Sequence, residues 1–581
     1  MNDNRAAEET SLDLSFSLLW PEGRKTEVTE IHGQSSVDLG LEKLIEFMAF
    51  DAKHRGALEG IVRSLCQDAE TINYRLDIID ELARFPVILR CIESLLPVLR
   101  DLKYYETFLA LEWKTSLQEA IWRLRELEHY VECVQKLAAA FKGIQNELRS
   151  EALQNLSALV LKVQGDTVFQ KLVVTLPDLL SKIRSLKSIT IGVNLDAGMM
   201  PCEATLISIN AEKYKESPFF KSLFGEDKWQ GIGSLHRAPE GSAYAGSPAY
   251  ASPLMIPLFQ DISKIMEKTT QPLARALKEF VSINSRVLTH LYGDFLFYLG
   301  ALKLIDTMKR CGLPMARPAV LDKEKRRFEA TDIYNIDLAL HLLQRSGGNP
   351  QDLSTEIVTN DFAQDEEGRI IIITGPNRGG KTTLLQAIGL AQVMVQIGLY
   401  VPALEAAMSI CDSILTHYPA LEKLEKGTGR FGEEAQRIGS VFQSASRHSL
   451  ILLNESLSST SGGESLYLAQ DIVRVLRMLG TRAVYATHLH GLAASAAELN
   501  RDTRGDSRVL SMVALIEADS QTGEREAGTD EGNLSIKPTF KIVPGPPEGH
   551  SYAIDLACRY GISKDQLIAT LEQRGALAAS G

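Results

Sequence analysis

The 581-residue sequence predicts an α plus α/β fold, a helical half carrying a small β insertion followed by a half in which strands and helices alternate. Three observations lead there. From about Asp38 to Lys187 apolar residues recur at the spacing of one helix face; between Ile189 and Ser208 the period drops to two; and beyond Arg327 short apolar runs are separated by helical stretches.

The elements follow in chain order. Residues 1–37 form an N-terminal segment whose one apolar stretch is Phe16–Trp20. Leu41, Leu44, Ile45 and Met48 line the first helix. A second helix carries Ile72, Leu76, Ile79 and Ala83 and ends before Pro86, whose ring cannot continue it. Helical patterns rich in Leu, Glu, Lys and Arg then run to Lys187. Ile189, Ile191, Val193 and Leu195 alternate, Asp196–Gly198 punctuates, and Ala204, Leu206 and Ser208 alternate again, which predicts a hairpin opening a β insertion over about 188–255. Within the insertion, Arg237–Pro253 is rich in Gly, Ala, Ser and Pro and predicts a loop. Pro272 suits the first turn of a helix that runs to about Arg310, with Leu273, Leu277, Phe280, Val281, Val287, Leu288 and Leu291 on its apolar face. Continuous, it spans roughly 55–60 Å, the length of a bundle helix or of a mechanical lever. Residues 38–317 are thus a helical domain. From 318 to 581, Ile370–Ile373, Leu450–Leu453 and Ala483–Ala486 are the apolar runs of buried parallel strands. Gln521–Gly532 is an acidic loop between two further strand-like runs.

Composition narrows the class. Hydrophobic residues make up 45% and charged residues 23% of the chain, as in ordinary globular proteins. No run of about 18 apolar residues occurs, so no membrane span is expected. The acidic, polar start lacks the order of a signal peptide. Seven cysteines lie scattered with no CxxC spacing, which fits reduced thiols in the cytoplasm and neither a disulfide framework nor a zinc site. A net charge of −12 means that the average field does not draw the chain to nucleic acid, so DNA binding needs a local basic surface. Lys182, Arg184 and Lys187 beside the hairpin, and the run Lys323–Arg327, are the candidates; such clusters are more often solvated faces.

The sharpest chemical signal is IIIITGPNRGGKTT. Gly375, Gly380, Lys381 and Thr382 fit GxxxxGK[ST] between an apolar strand and a helix. Gly375, Pro376, Asn377, Arg378, Gly379, Gly380, Lys381, Thr382 and Thr383 are the expected cradle for a phosphate chain, with the backbone N–H groups of all but Pro376 available to it and the helix N-terminus aimed at it. Lys381 would neutralise β- and γ-phosphates and Thr382 would ligate Mg²⁺. The strand of SLILLNES ends in Asn454 and Glu455, where a carboxylate can orient attacking water. Asn454 offers only a neutral oxygen, so support of Mg²⁺ from that side, through water, is expected to be weak. RAVYATHLHGL ends in His488, placed to sense a γ-phosphate, and His490, for which a structural role is expected. Tyr334 is a candidate base-stacking ring by position alone.

In this order TGPNRGGKTT, ALEAAMSICDSILTHY, GTGRFGEEAQRI, LLNESLSSTSGGES, VYATHLHGL and PPEGHSYAIDLACRYGISKDQL resemble the ATPase domain of MutS-family proteins over nearly all of 318–581. DAETINYRLDIIDEL is similar to the start of the family's helical core and lever domain. The resemblance implies an ABC-type ATPase that takes ATP and Mg²⁺, works as a homodimer with composite sites, and has DNA as its partner. It also implies that Thr428, Gly429 and Arg430 reach toward the other subunit's nucleotide. Ser459, Thr460 and Ser461 would line the subunit contact.

Departures matter equally. The family's mismatch sensors carry near the N-terminus a mixed α/β domain with a Phe-x-Glu wedge, whereas helical patterns here begin by about residue 40. Phe-Gly-Glu occurs at Phe224–Glu226 and Phe431–Glu433, neither a credible wedge. The family's acid pair is Asn454–Glu455, and the arginine and glycine that normally follow are Ser458 and Ser459. Over the sequence up to Gly581 no nuclease-like domain is expected. The expectation is a shortened cytoplasmic MutS-family ATPase acting on DNA without the usual mismatch sensing. The rival is an ATP-gated structural or adaptor switch that binds protein partners and hydrolyses slowly. A small-molecule kinase would leave the helical half unexplained.

Overall fold

The computed structural model describes residues 16–22, 27–109, 116–184, 187–199, 201–212, 276–277, 280, 285–419, 430–502, 504–519, 535–547 and 564–574. Among them the strands are, in chain order, β1 (Val28–Glu30), β2 (Ser64–Cys66), β3 (Ser188–Leu195), β4 (Pro201–Asn210), β5 (Ala319–Leu321), β6 (Phe328–Ile333) and β7 (Asn360–Gln364). There follow β8 (Ile370–Thr374), β9 (Glu405–Ser409), β10 (Ile414–His417), β11 (Leu450–Asn454), β12 (Arg482–Ala486), β13 (Val509–Asp519) and β14 (Ser535–Pro544). The chain divides into two compact units, each assembled from separated segments: Met1–Phe16, Pro86–Leu148 and Leu153–Tyr292 in one, Ser17–Phe85, Arg149–Ala152 and Gly293–Gly581 in the other.

Among the described residues the first unit is helical apart from one hairpin. Helices Pro86–Leu109 and Ser116–Phe141 pack together through buried Leu95, Leu99, Leu124 and Leu127. Buried Glu126 accepts from Arg123 at 2.6 Å and from the Ser285 hydroxyl, so its charge is paired and hydrogen-bonded. β3 and β4 pair antiparallel, Val193 opposite Ala204, and the turn closes where Gly198 N–H donates to Asp196 Oδ1 at 2.8 Å. This is the hairpin the alternation predicts; the rest of the expected insertion, including Arg237–Pro253, lies outside the described residues.

The second unit is built on a six-stranded sheet of order β10-β11-β12-β8-β13-β14, parallel except for β14, which runs antiparallel to β13. β8 is buried at every position because helices cover both of its faces. On one face Ile370, Ile372, Ile451, Leu453, Ala483 and Tyr485 pack with Ile438, Val441, Ala469, Val473 and Leu492. On the other lies the buried helix Lys381–Gln396, where Gly389 passes close to Leu452 of β11. A smaller sheet, β5-β9-β6-β7, adjoins in sequence, with β5 parallel to β9 and the remaining pairs antiparallel.

N-terminal residues complete this unit. Leu41, Leu44, Ile45 and Met48 are buried on helix Leu41–Met48, as their spacing predicts. Helix Ala69–Arg84 starts where Asp68 accepts from Thr71 N–H at 2.7 Å, an N-cap. Its Ile72, Leu76 and Ile79 are buried, but Ala83, in the last turn of the helix, is exposed. Pro86 is not only a stop: it opens the next helix, where its missing N–H costs nothing. Fully buried Arg75 donates to Leu19 O and Ile397 O, both at 3.0 Å, and lies 4.3 Å from the Trp20 ring centroid. It thereby places a cation at the C-terminal end of helix Lys381–Gln396. The helix expected from Pro272 is described over Arg286–Arg310; Pro272 and Leu273 lie outside the described residues.

Candidate nucleotide site

β8 delivers the loop Gly375–Gly380 to the C-terminal edge of the parallel strands, and helix Lys381–Gln396 departs from it. Gly375 sits at φ 137°, where a Cβ would stand 2.7 Å from Ala514 Cβ on β13, so only glycine fits. Gly380 caps the helix at φ 89°. Arg378 holds φ 63°, left-handed backbone that costs a non-glycine residue about 1–2 kcal/mol. A strained loop leading into a helix N-terminus directs backbone N–H groups at one point, which is what an anion requires.

Side chains from three strand ends converge there. Buried Lys381 donates from Nζ to Gly375 O and Pro376 O, each at 2.9 Å, and lies 3.9 Å from Glu455 Oε1. Burial pulls its pKa down while the Glu455 charge opposes the shift. The Thr382 hydroxyl donates to Asn454 Oδ1 at 3.0 Å, joining the first turn of helix Lys381–Gln396 to the end of β11. Glu455, at φ 48°, is anchored by its N–H to Ala486 O at 2.8 Å, and its Oε1 meets His488 Nε2 at 3.0 Å. The turn after β12 is set by Leu489 N–H donating to Thr487 Oγ1 at 3.1 Å. His490 has a buried Nδ1 without a hydrogen-bond partner; burial, then the positive fields of His488 and Lys381, lower its pKa.

Lys381, Thr382, Asn454, Glu455 and His488 are therefore brought together. Pro376 and Gly379 lie in the loop, with Asn377 and Arg378 exposed, and Thr383 accepts at its carbonyl from Asn335 Nδ2 at 3.0 Å. Thr428 and Gly429 lie outside the described residues, and Arg430 begins helix Arg430–Ser444. Ser459 is exposed, its hydroxyl bonded to the Glu434 carboxylate. Tyr334 is only 1% exposed, with its hydroxyl 3.3 Å from Met315 Sδ, so it offers no face to a base. Within 318–327, Arg326 is buried against Gly480 O and Asp506, and Arg327 pairs with Glu329.

Three supporting residues escape the sequence reading. The Ser456 hydroxyl lies 2.7 Å from buried His417 Nδ1, and Tyr485 OH donates to Ser456 O at 2.8 Å. Glu434 Oε1 accepts from Leu457 N–H at 2.7 Å. A usable signal existed for Glu434: it stands one turn before Ile438, on the face that Ile438 and Val441 bury.

Comparison with known proteins agrees with this geometry. The family described as MutS domain V matches residues 371–524, and the MutS2 N-terminal domain matches residues 67–311. The chain is MutS-related. It is 33% identical over 215 residues to the endonuclease MutS2 of Thermus thermophilus, covering 37% of this chain and 26% of that protein. It is 31% identical over 249 residues to the DNA mismatch repair protein MutS 1 of Haloarcula marismortui, covering 42% of this chain and 24% of that one. To the DNA mismatch repair protein MutS of Brevibacillus brevis it is 33% identical over 191 residues, 32% of this chain and 22% of that protein. The aligned stretch spans about a quarter of each relative's length. In this MutS-related chain the domain V match contains the loop, Asn454, Glu455 and His488, so the convergent side chains lie in its region of family likeness. No helix among the described residues is long and apolar enough to cross a membrane.

Proposed function

We propose that this chain binds ATP across Gly375–Thr383 and hydrolyses it with Glu455, as one half of a homodimer whose ATP cycle acts on DNA. The observation that carries the reading is the meeting of Glu455 with both Lys381 and His488 beside a glycine loop that opens a helix. Lys381, buried among carbonyls, suits the β- and γ-phosphates. Thr382, and Asn454 through a water, are the groups to hold Mg²⁺, which when bound supplies charge neutralisation on the phosphate oxygens. Glu455 orients the attacking water and takes its proton, and His488 reports on the γ-phosphate through its contact with Glu455. Asn454 brings no charge, which favours slow turnover and keeps the adaptor-switch reading, with protein partners, as the rival. Residues 318–581 are assigned to the ABC-type ATPase, 38–317 to a helical core and lever, and 1–37 to a leading segment. Thr428, Gly429 and Arg430 are assigned to reach toward the other subunit's nucleotide, and Ser459 to line the subunit contact.

Two measurements test this. Glu455→Gln should keep ATP binding and lower turnover at least about 100-fold; unchanged turnover removes Glu455 from the chemistry. Fluorescence titration with duplex, branched and single-stranded DNA across a salt series, with and without ATP, tests the partner. Binding whose affinity falls as salt rises is expected; no binding to any of the three overturns the DNA half of the proposal and favours the adaptor.

A further inference from the structure

Glu455 does not hold its own place. It and Leu457 both adopt left-handed backbone, at φ 48° and 69°, so the turn after β11 persists only where neighbours impose it. Some of those neighbours belong to the sheet or to the segment that follows. Glu455 N–H donates to Ala486 O, His417 and Tyr485 hold Ser456, and the Ser465 hydroxyl donates to Leu457 O at 2.7 Å. A different restraint comes from helix Arg430–Ser444. There Glu434 offers one carboxylate oxygen to Leu457 N–H at 2.7 Å and the other to Ser459, to its hydroxyl and to its N–H at 3.4 Å. One carboxylate thus spans three residues of the turn that begins at Glu455. A charged acceptor holding N–H and O–H groups is among the stronger clamps available to a loop.

We infer that Glu434 is a positioning residue for the hydrolytic step: it fixes the turn after β11 so that the Glu455 carboxylate stays against Lys381 and His488, and it makes that position depend on helix Arg430–Ser444. This rests on the ATPase reading above. Glu434 has no contact with Lys381, His488 or the loop among the described residues, so it acts through the backbone of Leu457 and Ser459. Its loss is expected to relax the turn and let Glu455 drift, leaving the phosphate cradle intact.

The test compares the wild type with Glu434→Ala, Glu434→Gln, Ser459→Ala and the Glu434→Ala/Ser459→Ala double variant in the full chain. Steady-state ATP turnover, binding of ATP, thermal unfolding and hydrogen exchange of the Leu457 and Ser459 amides are measured. Glu434→Ala should lower kcat about 10- to 100-fold, the scale of a sub-ångström to ångström misplacement, with KM and ATP affinity within about twofold. Exchange at the two amides should rise. Glu434→Gln keeps one carbonyl acceptor and should recover part of the rate, Ser459→Ala should lose less than Glu434→Ala, and the double variant should be no worse than Glu434→Ala. Faster exchange with unchanged kcat, unchanged exchange, or equal losses of ATP binding and turnover each overturn the positioning role. A wild type that binds no ATP overturns the ATPase reading itself, a result distinct from the others.

Discussion

Replacing a carboxylate with an amide at the end of β11 removes a charge from the side of the site where the Thr382 hydroxyl is bonded. Asn454→Asp should restore it. The titration of ATP turnover against Mg²⁺ should then shift to roughly three- to tenfold lower concentration, the worth of one charge-assisted contact. No shift would mean that cation support comes from elsewhere. His417 supplies a second prediction. Burial first, then the Arg437 charge, pushes its pKa down to about 4. In the unfolded chain it titrates near 6.5, so between those values the unfolded state binds more protons and stability rises with pH. Its contribution is complete above about pH 6.5 and is lost as pH falls toward 4. Unfolding free energy measured over that window should have a shallower slope in His417→Gln; an unchanged slope would assign the window to other groups. Lys381, Asn454, Glu455 and His488 were legible because each closes or follows an apolar run whose end can be read locally. His417 was not, because its partner Ser456 is fixed only when β10 and β11 assemble; the helix face of Glu434 could be read, but not its partner Leu457, which helix Arg430–Ser444 meets only in the assembled unit.

Among elements, helices Leu41–Met48 and Arg286–Arg310 come close together at Gly300. A Cβ there would stand 2.8 Å from Met48 O and 2.9 Å from Met48 Cβ. Glycine to alanine inside a helix ordinarily gains about 1 kcal/mol. Here the added methyl meets backbone that cannot rotate away, and overpacking costs about 1–3 kcal/mol, so the sign reverses. Gly300→Ala should lower the urea midpoint; a higher midpoint would show a looser crossing. Buried strands β8, β11 and β12 could be read from continuous apolar runs, and the β3–β4 hairpin from strict alternation. The boundary at Pro86 could not be assigned to one element, since the same residue that ends a helix is also suited to open the next. The sequence pattern around Tyr334 likewise says nothing of burial, since the residue directly after β6 meets Met315 and Pro402 only once the chain has folded.

For the whole molecule the proposed dimer has a direct consequence. Analytical ultracentrifugation of Glu455→Gln should show a dimer that strengthens with ATP; a monomer at every concentration, with or without ATP, removes the composite site from the proposal. Local patterns could not reveal that Ser17–Phe85 and Gly293–Gly581 belong to one compact unit, because their pairing is long-range: Gln386 donates to Leu39 O at 3.0 Å, and the Thr416 hydroxyl to Asp38 Oδ2 at 2.7 Å. That discontinuity sets a schedule for synthesis. Leu18, Leu39, Leu41 and Leu44, all buried in the finished protein, leave the ribosome about 250–275 residues before the segment from Gly293 that completes their unit. At about 5–20 residues per second they wait roughly 12–55 seconds with their apolar faces uncovered. The unit that bears the nucleotide site therefore closes only late in synthesis, after the whole middle third has been translated.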